Sequence, residues 1–275
     1  MSQTPSKQPF LSDHSMGCGV QPPTKSGRIV SGHKSSFGWW PWMVSVRRNS
    51  YFGGSSSHKC GGVILNHQWI ATAGHCVDDL LKTQISLRIG EYDFSNTSEP
   101  YPHIKRGIKK KIIHPNYNSM TYENDLALIQ VDEPIDFGAH IKPICLPPED
   151  TDDLSDRNAT ITGWGRLSQG GERAAVLKEA NVPIVSNKRC EEMFKSVGRN
   201  EAIPEILMCA GYDKGGPDSC NGDSGGPLQV QNDEGHWFLA GIVSWGIGCG
   251  EPSQPGVYTR VSVFRQWIHN YIQHY

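Results

Sequence analysis

The feature that most limits how this chain can fold is its broken apolar pattern. From Ile29 onward, short apolar runs alternate with turn residues, and almost nowhere does a pattern of helical period persist. The runs are Trp42–Val46, Gly62–Leu65, Trp69–Ala71, Ile85–Ile89, Gly107–Ile113, Leu126–Val131, Ala159–Thr162, Lys178–Val182, Leu207–Ala210, Pro227–Val230, Trp237–Ser244 and Gly256–Arg260. Many short strands at this spacing predict antiparallel sandwiches or barrels. A content of 30 Gly and 18 Pro supplies the turns such a fold needs and argues against a helical bundle. One stretch has a clear helical period: Val263, Phe264, Trp267, Ile268, Tyr271 and Ile272. Residues 1–28 are polar and rich in Ser, Gln, Gly and Pro, so they read as a largely unstructured tail ahead of a folded unit at 29–275.

Charge and cysteine content narrow the partners and the compartment. Lys and Arg number 26 against 28 Asp and Glu, a formal charge of −2, so no basic face for nucleic acid is implied. No apolar run approaches the roughly 18 residues that span a bilayer. The opening MSQTPSKQPF lacks the apolar core of a secretory signal, which suggests a fragment, a trimmed form or the end of a longer precursor. Eight cysteines, with no CxxC pair, fit no zinc template. Four disulfides in an oxidising compartment are expected in preference to the isolated thiols of a cytosolic enzyme, although eight cysteines allow 105 connectivities. Two glycosylation sequons, at Asn96 and Asn158, agree with secretion.

Three motifs carry chemistry. Thr72-Ala73-Gly74-His75-Cys76 follows the apolar strand Trp69–Ala71, and Asn124-Asp125-Leu126-Ala127-Leu128 sets an acid at the start of another. The third is Asp218-Ser219-Cys220-Asn221-Gly222-Asp223-Ser224-Gly225-Gly226-Pro227. Singly, each has an ordinary structural explanation: a histidine beside a cysteine, a serine in a glycine turn. Together with Arg28-Ile29-Val30-Ser31-Gly32 they closely resemble the trypsin-like (chymotrypsin-fold) serine endopeptidases, over about Ile29 to Tyr275. The loop Gly90–Phe94 looks most like those of the arthropod Stubble-type and type II transmembrane serine proteases.

The resemblance implies an all-β fold of two packed six-stranded antiparallel barrels with a C-terminal helix and the active site between them. It implies Ser224 as nucleophile, His75 as base and then acid, and Asp125 as the group that fixes the imidazole, in the chain order His, Asp, Ser. A serine hydroxyl attacks poorly at neutral pH unless a base takes its proton, which is why the three must act together. The backbone N–H groups of Gly222 and Ser224 would hold the oxyanion, Gly222 being free to take the unusual φ required. Asp218 would sit at the base of a specificity pocket for Arg or Lys, with Ser219 lining it and Gly246 and Gly256 keeping its walls open. Ser244-Trp245-Gly246 would pair with the substrate backbone as an added strand.

Asp223 would receive the ammonium freed by cleavage at Arg28–Ile29, making the uncut chain a zymogen. The disulfides implied are Cys60–Cys76, Cys190–Cys209 and Cys220–Cys249, leaving Cys18 and Cys145 to tether the tail. Expected partners are peptides or proteins with Arg or Lys before the cut, an activating protease, and inhibitors of the serpin or Kunitz type. The chain is expected to act outside the cell, secreted or as the ectodomain of an anchored precursor.

Departures from the family pattern are Gly74 for Ala, Ser31 for Gly and Asn221 for Gln, none of which removes a catalytic group. No cofactor is expected. Glu91 resembles the first carboxylate of a calcium-binding loop, but a second does not align cleanly; Pro255 stands where sodium-responsive members carry Tyr. Lys109-Lys110-Lys111 with Arg106 reads as a solvated strand edge in preference to an anion-binding exosite. Two rival readings stand beside the protease: a catalytically dead homologue that acts as a binding module, and a cytosolic hydrolase with free thiols.

Overall fold

The computed structural model describes residues 17–23, 33–50, 54–149, 151, 153–166 and 170–273. Fourteen strands and two helices follow in chain order: β1 His33–Lys34, β2 Met43–Asn49, β3 Ser56–Ile64, β4 Trp69–Thr72, β5 Ile85–Ile89, β6 Ile104–Arg106, β7 Ile108–Ile113, β8 Ala127–Val131, β9 Asn158–Gly163, β10 Lys178–Val185, α1 Asn187–Ser196, β11 Leu207–Ala210, β12 Pro227–Gln231, β13 Trp237–Trp245, β14 Gly256–Arg260 and α2 Val261–Ile272. Alternation in β5 shows why these runs are strands. Ile85, Leu87 and Ile89 are buried while Ser86 and Arg88 are half-buried, the two-residue period of a pleated surface with one face in a core.

The strands form two antiparallel sheets. The first runs β6-β5-β2-β3-β4-β8-β7 and the second β1-β10-β11-β14-β13-β12-β9. In the second, β9 also pairs with β10, from Lys178 opposite Gly163 to Pro183 opposite Asn158, and this closes a six-stranded barrel. The ends of the first sheet are joined by a bend in the chain rather than by a strand pairing of this kind. Its two outer strands, β6 and β7, are separated in the chain by Gly107 alone, so one bent run of chain pairs with β5 on one side and β8 on the other.

Each sheet curls around its own core. Trp42, Trp69, Ile70, Leu87, Leu126 and Leu128 fill the first; Val182, Met208, Leu228, Val230 and Tyr258 fill the second. Side chains of this size stabilise by about 1.5–3 kcal/mol each on burial. Buried polar contacts join the halves: Trp42 Nε1 donates to Gln229 Oε1 at 2.6 Å and Trp40 Nε1 to Glu179 Oε2 at 2.7 Å. Such donors are rarely left unpaired in a core, so these bonds fix how the halves meet.

Helix α2 buries Val261, Phe264 and Ile268, whereas Val263, counted on its apolar face from the sequence, is 50% exposed. Helix α1 was not anticipated. Ser186 caps it by accepting from Arg189 N at 3.2 Å, and only Cys190, Met193 and Phe194 are buried. All four disulfides are present: Cys18–Cys145, Cys60–Cys76, Cys190–Cys209 and Cys220–Cys249. Closing the Cys60–Cys76 loop, a separation of 16 residues, contributes about 3 kcal/mol on the chain-entropy account.

Residues 17–23 pack on the second sheet rather than trailing from it. Gly19 N donates to Pro143 O and Trp237 N to Gly19 O, both at 2.9 Å, while Trp237 Nε1 donates to Gln21 Oε1 at 3.0 Å. No helix among the described residues is long and apolar enough to cross a membrane.

Candidate active site

His75 and Asp125 come from the first sheet. His75 lies in a short 3-10 turn, Gly74–Cys76, directly after β4, and Asp125 lies just before β8, which pairs with β4. That pairing brings the two side chains together. His75 Nδ1 donates to Asp125 Oδ2 at 2.7 Å, and the backbone N–H of His75 donates to Oδ1 at 2.9 Å. Ser244 Oγ from β13 donates to Oδ2 at 2.6 Å, and Thr259 Oγ1 donates to the Asp125 carbonyl at 2.8 Å. Asp125 is fully buried. With its Nδ1 proton held on the carboxylate, the imidazole keeps Nε2 as the basic nitrogen.

Ser224 comes from the second sheet, on the loop before β12. The loop is fixed by its backbone: Gly61 N donates to Ser224 O, Gly225 N to Val243 O, and Gly226 N to Asp223 O, each at 2.8 Å. Ser224 and His75 line one cleft of about 390 Å³ with Tyr122, Ser219, Asn221, Ser244, Trp245 and Gly246. Among the described residues no hydrogen bond joins the Ser224 hydroxyl to the imidazole, and catalytic bonds of this kind often tighten only with substrate present.

The backbone N–H groups of Gly222 and Ser224 donate to no acceptor among the described residues. Gly222 is buried, with φ +105°, a conformation that side-chain-bearing residues rarely adopt. Nearly all buried N–H groups in proteins are paired. These two unpaired donors, one of them on Ser224 itself, are free to bond an incoming oxygen.

Asp218, Asp223 and Cys220 line a second cavity of about 160 Å³ behind this loop. Asp218 accepts from Ser219 N at 2.7 Å and Gly250 N at 3.1 Å. Burial outweighs those donors and pushes its carboxyl up to about 6, with the nearby Asp223 adding to the shift. A Cβ on Gly256 would lie 2.9 Å from Asp218 Oδ1 and 3.1 Å from Ser219 Oγ, so only glycine leaves this carboxylate approachable. Gly246 stands beside Gly256, and the Cys220–Cys249 bond ties the two walls.

Asp223 accepts from Gly165 N at 2.7 Å and Cys220 N at 2.9 Å. No cation pairs with it among the described residues. Although part of its surface opens onto the cavity, desolvation dominates and raises its carboxyl to about 6. Arg28 and Ile29 lie outside the described residues.

Several neighbours were missed by the sequence reading. Tyr122 stands edge-on to His75, ring centres 5.4 Å apart, and holds φ +57°, a backbone cost that residues near functional sites often bear. His58 is buried, donates through Nε2 to Gly222 O at 2.9 Å and takes a bond from Ser45 Oγ at Nδ1, 2.8 Å. Burial holds its pKa down at about 4. Its place two residues before Cys60 was the one available signal.

At the loop where Glu91 resembles part of a calcium site, the carboxylates already have other partners. Glu91 Oε2 accepts from Arg88 at 2.8 Å and lies 3.2 Å from His103 Nδ1, while Glu99 Oε1 accepts from Asp93 N at 2.7 Å. A guanidinium and an imidazole already face the oxygens a hard cation would need, and calcium takes six to eight oxygen ligands. The Lys109–Lys111 run is not a free basic strip: Lys111 turns inward and donates to Val77 O and Leu80 O at 2.5 and 2.6 Å. The sequon residues Asn96 and Asn158 are both exposed.

Comparison with known proteins agrees with this geometry. A family model described as Trypsin matches residues 29–268. Serine proteinase stubble of Drosophila melanogaster is 58% identical over 246 residues, covering 90% of this chain and 31% of that protein. Serine protease filzig of the same organism is 45% identical over 262 residues, 94% of this chain and 15% of the relative. The Suppressor of tumorigenicity 14 protein homolog of Bos taurus is 36% identical over 257 residues, 91% of this chain and 29% of the relative. The chain thus spans less than a third of the length of each of these relatives. A hydrogen-bonded His–Asp pair from one sheet, a serine from the other, and a family match over nearly the whole folded region lead to one conclusion: the chain belongs to the trypsin family of serine endopeptidases.

Proposed function

We propose that this serine endopeptidase cuts peptide bonds after Arg or Lys and is switched on by cleavage between Arg28 and Ile29. The observation that carries the reading is the His75–Asp125 pair facing the same cleft as Ser224, with the half-buried carboxylate of Asp218 in the adjoining cavity that shares Cys220 with that cleft. Ser224 Oγ attacks the scissile carbonyl as His75 Nε2 takes its proton. The imidazolium formed is held by Asp125, and the new oxyanion lies against the N–H groups of Gly222 and Ser224. His75 then gives the proton to the leaving amine, and water repeats the sequence on the acyl-enzyme. Ser244, Trp245 and Gly246 hold the backbone before the cut as an added strand.

Asp223 supports the switch. A buried carboxylate without a cation is costly, and an ammonium freed at Ile29 would supply one. The Cys18–Cys145 bond would keep the tail attached after that cut. Four disulfides fit an extracellular setting, with protein substrates, an activating protease, serpin or Kunitz-type inhibitors, and glycans at Asn96 and Asn158.

The specificity is tested with Asp218→Ser. In the cut enzyme, kcat/KM for an Arg aminocoumarin amide should fall by at least about 100-fold, because the substrate cation would be desolvated without a partner. An unchanged preference for Arg over Leu would place the pocket elsewhere. A chain that never hydrolyses the Arg amide and never takes a fluorophosphonate on Ser224 would instead be a binding module.

A further inference from the structure

The substrate side before the cut is accounted for by Asp218 and the Ser244–Gly246 strand, but the side that carries the leaving group has chemistry of its own. On the far face of the Gly222–Ser224 loop stands β3, bonded to it through Gly61 N to Ser224 O and His58 Nε2 to Gly222 O. A peptide whose earlier residues lie along Ser244–Gly246 must leave Ser224 over this face. Two arginines stand there. Arg173 donates through a terminal guanidinium nitrogen to the His58 carbonyl at 2.6 Å, and its Nε lies 3.8 Å from where a Cβ on Gly222 would be. Arg166 sits opposite it across an isolated antiparallel bridge, its backbone N–H on Asn221 O at 2.9 Å and its guanidinium on Gly171 O.

Both guanidinium groups bond only to carbonyl oxygens, and neither has a carboxylate partner among the described residues. Lys59 nearby is neutralised by Asp79 at 2.5 Å; Glu172, next to Arg173 in the chain, pairs with neither arginine. Like charges directly opposite in a strand pair are destabilising. Here they are held in place by neutral acceptors: Arg173 is exposed beside Gly222, whereas Arg166 is half-buried and lines the cavity that also holds Asp218 and Asp223.

We infer that Arg173, backed by Arg166, forms a leaving-side subsite for acidic side chains, so that this enzyme prefers protein substrates with Asp or Glu at the first or second residue after the cut. The inference rests on the endopeptidase reading above. Arg173 acts here on specificity, through the charge it presents to the departing chain, and takes no part in bond breaking.

The test uses quenched fluorogenic peptides identical up to an Arg before the cut, with Glu, Ala or Lys at the first or the second position after it, and counts by product mass only the cut after that Arg, because a Lys offers a second bond to cut. The readout is the Glu-to-Lys ratio of kcat/KM within each enzyme, which a general loss of activity does not move. The cut wild-type enzyme should favour Glu by about five- to tenfold at one of the two positions, given the usual strength of exposed ion pairs and the added repulsion of Lys. The ratio should shrink toward one in about 1 M salt, persist in Arg173→Lys and invert in Arg173→Glu. A wild-type ratio near one, or a ratio that survives Arg173→Glu, overturns the inference. An Arg aminocoumarin amide has no residue after the cut. If it is hydrolysed while the peptide ratio is flat, only this inference fails; if it is not hydrolysed at all, the endopeptidase reading fails and takes this one with it.

Discussion

Two aspartates near one cleft are treated very differently by the fold. Asp125 receives three donors on its carboxylate, the backbone N–H and Nδ1 of His75 and the hydroxyl of Ser244. Asp223 receives two backbone N–H groups, from Gly165 and Cys220, and no side-chain donor among the described residues. Its carboxyl is pushed up to about 6 by burial. The difference is one of completeness. Asp125 is satisfied by groups already fixed in the two sheets, so it can hold an imidazolium as soon as one forms. Asp223 is left short of one cation, which makes it the natural place for a signal to act.

The largest effect should come from spoiling the complete site. Asp125→Asn keeps the shape but offers His75 an amide, which favours the wrong tautomer. In the cut enzyme kcat for an Arg amide should fall by about 10⁴, a figure taken from the equivalent change in a related protease; a loss under tenfold would mean that Asp125 does not orient the base.

The incomplete site should show itself in stability. With its carboxyl raised from the ordinary 3.8 to about 6, the folded chain binds the Asp223 proton more tightly than the unfolded chain does. Stability is therefore lost as pH rises from about 4 to 6 and stays lost above that. In a chain held uncut by Arg28→Gln, adding Asp223→Asn should remove a penalty on the order of 2–3 kcal/mol at pH 7 and nearly nothing at pH 4. Urea midpoints at the two pH values read this directly. A difference independent of pH would show that the Asp223 charge is already compensated in the uncut chain.

A smaller change should move the complete site toward the incomplete one. Ser244→Ala deletes one of three donors to Asp125, and bonds to charged groups contribute about 1.5–3 kcal/mol. The expected loss in kcat is about 10- to 100-fold, with KM little changed. A shift confined to KM would assign Ser244 to substrate binding alone.

Much of this comparison was legible in the chain. The motifs around His75, Asp125 and Ser224 named three residues that the fold brings to one cleft, and Ile85–Ile89, Leu207–Ala210 and Gly256–Arg260 are strands over the residues expected. What escaped was set by contacts far apart in sequence. Ser244 was read for its backbone, and nothing local reveals that its hydroxyl reaches Asp125. Helix α1 carries too few apolar positions to show a period. Gly17–Pro23 has the composition of a loose tail, yet Gly19 and Gln21 find partners at Trp237. The bend at Gly107 divides what reads as one strand and its approach into β6 and β7.

The central claim is that Asp223 waits for the cation released at Ile29, and the rate at which a fluorophosphonate labels Ser224 tests it most directly. That rate should be compared before and after cleavage at Arg28, in the otherwise unaltered chain and in Asp223→Asn. Breaking a buried ion pair costs about 3–5 kcal/mol, so cleavage should speed labelling by roughly 10²- to 10³-fold, and Asp223→Asn should abolish that gain. Equal labelling of cut and uncut chains, or the full gain in Asp223→Asn, would contradict the account.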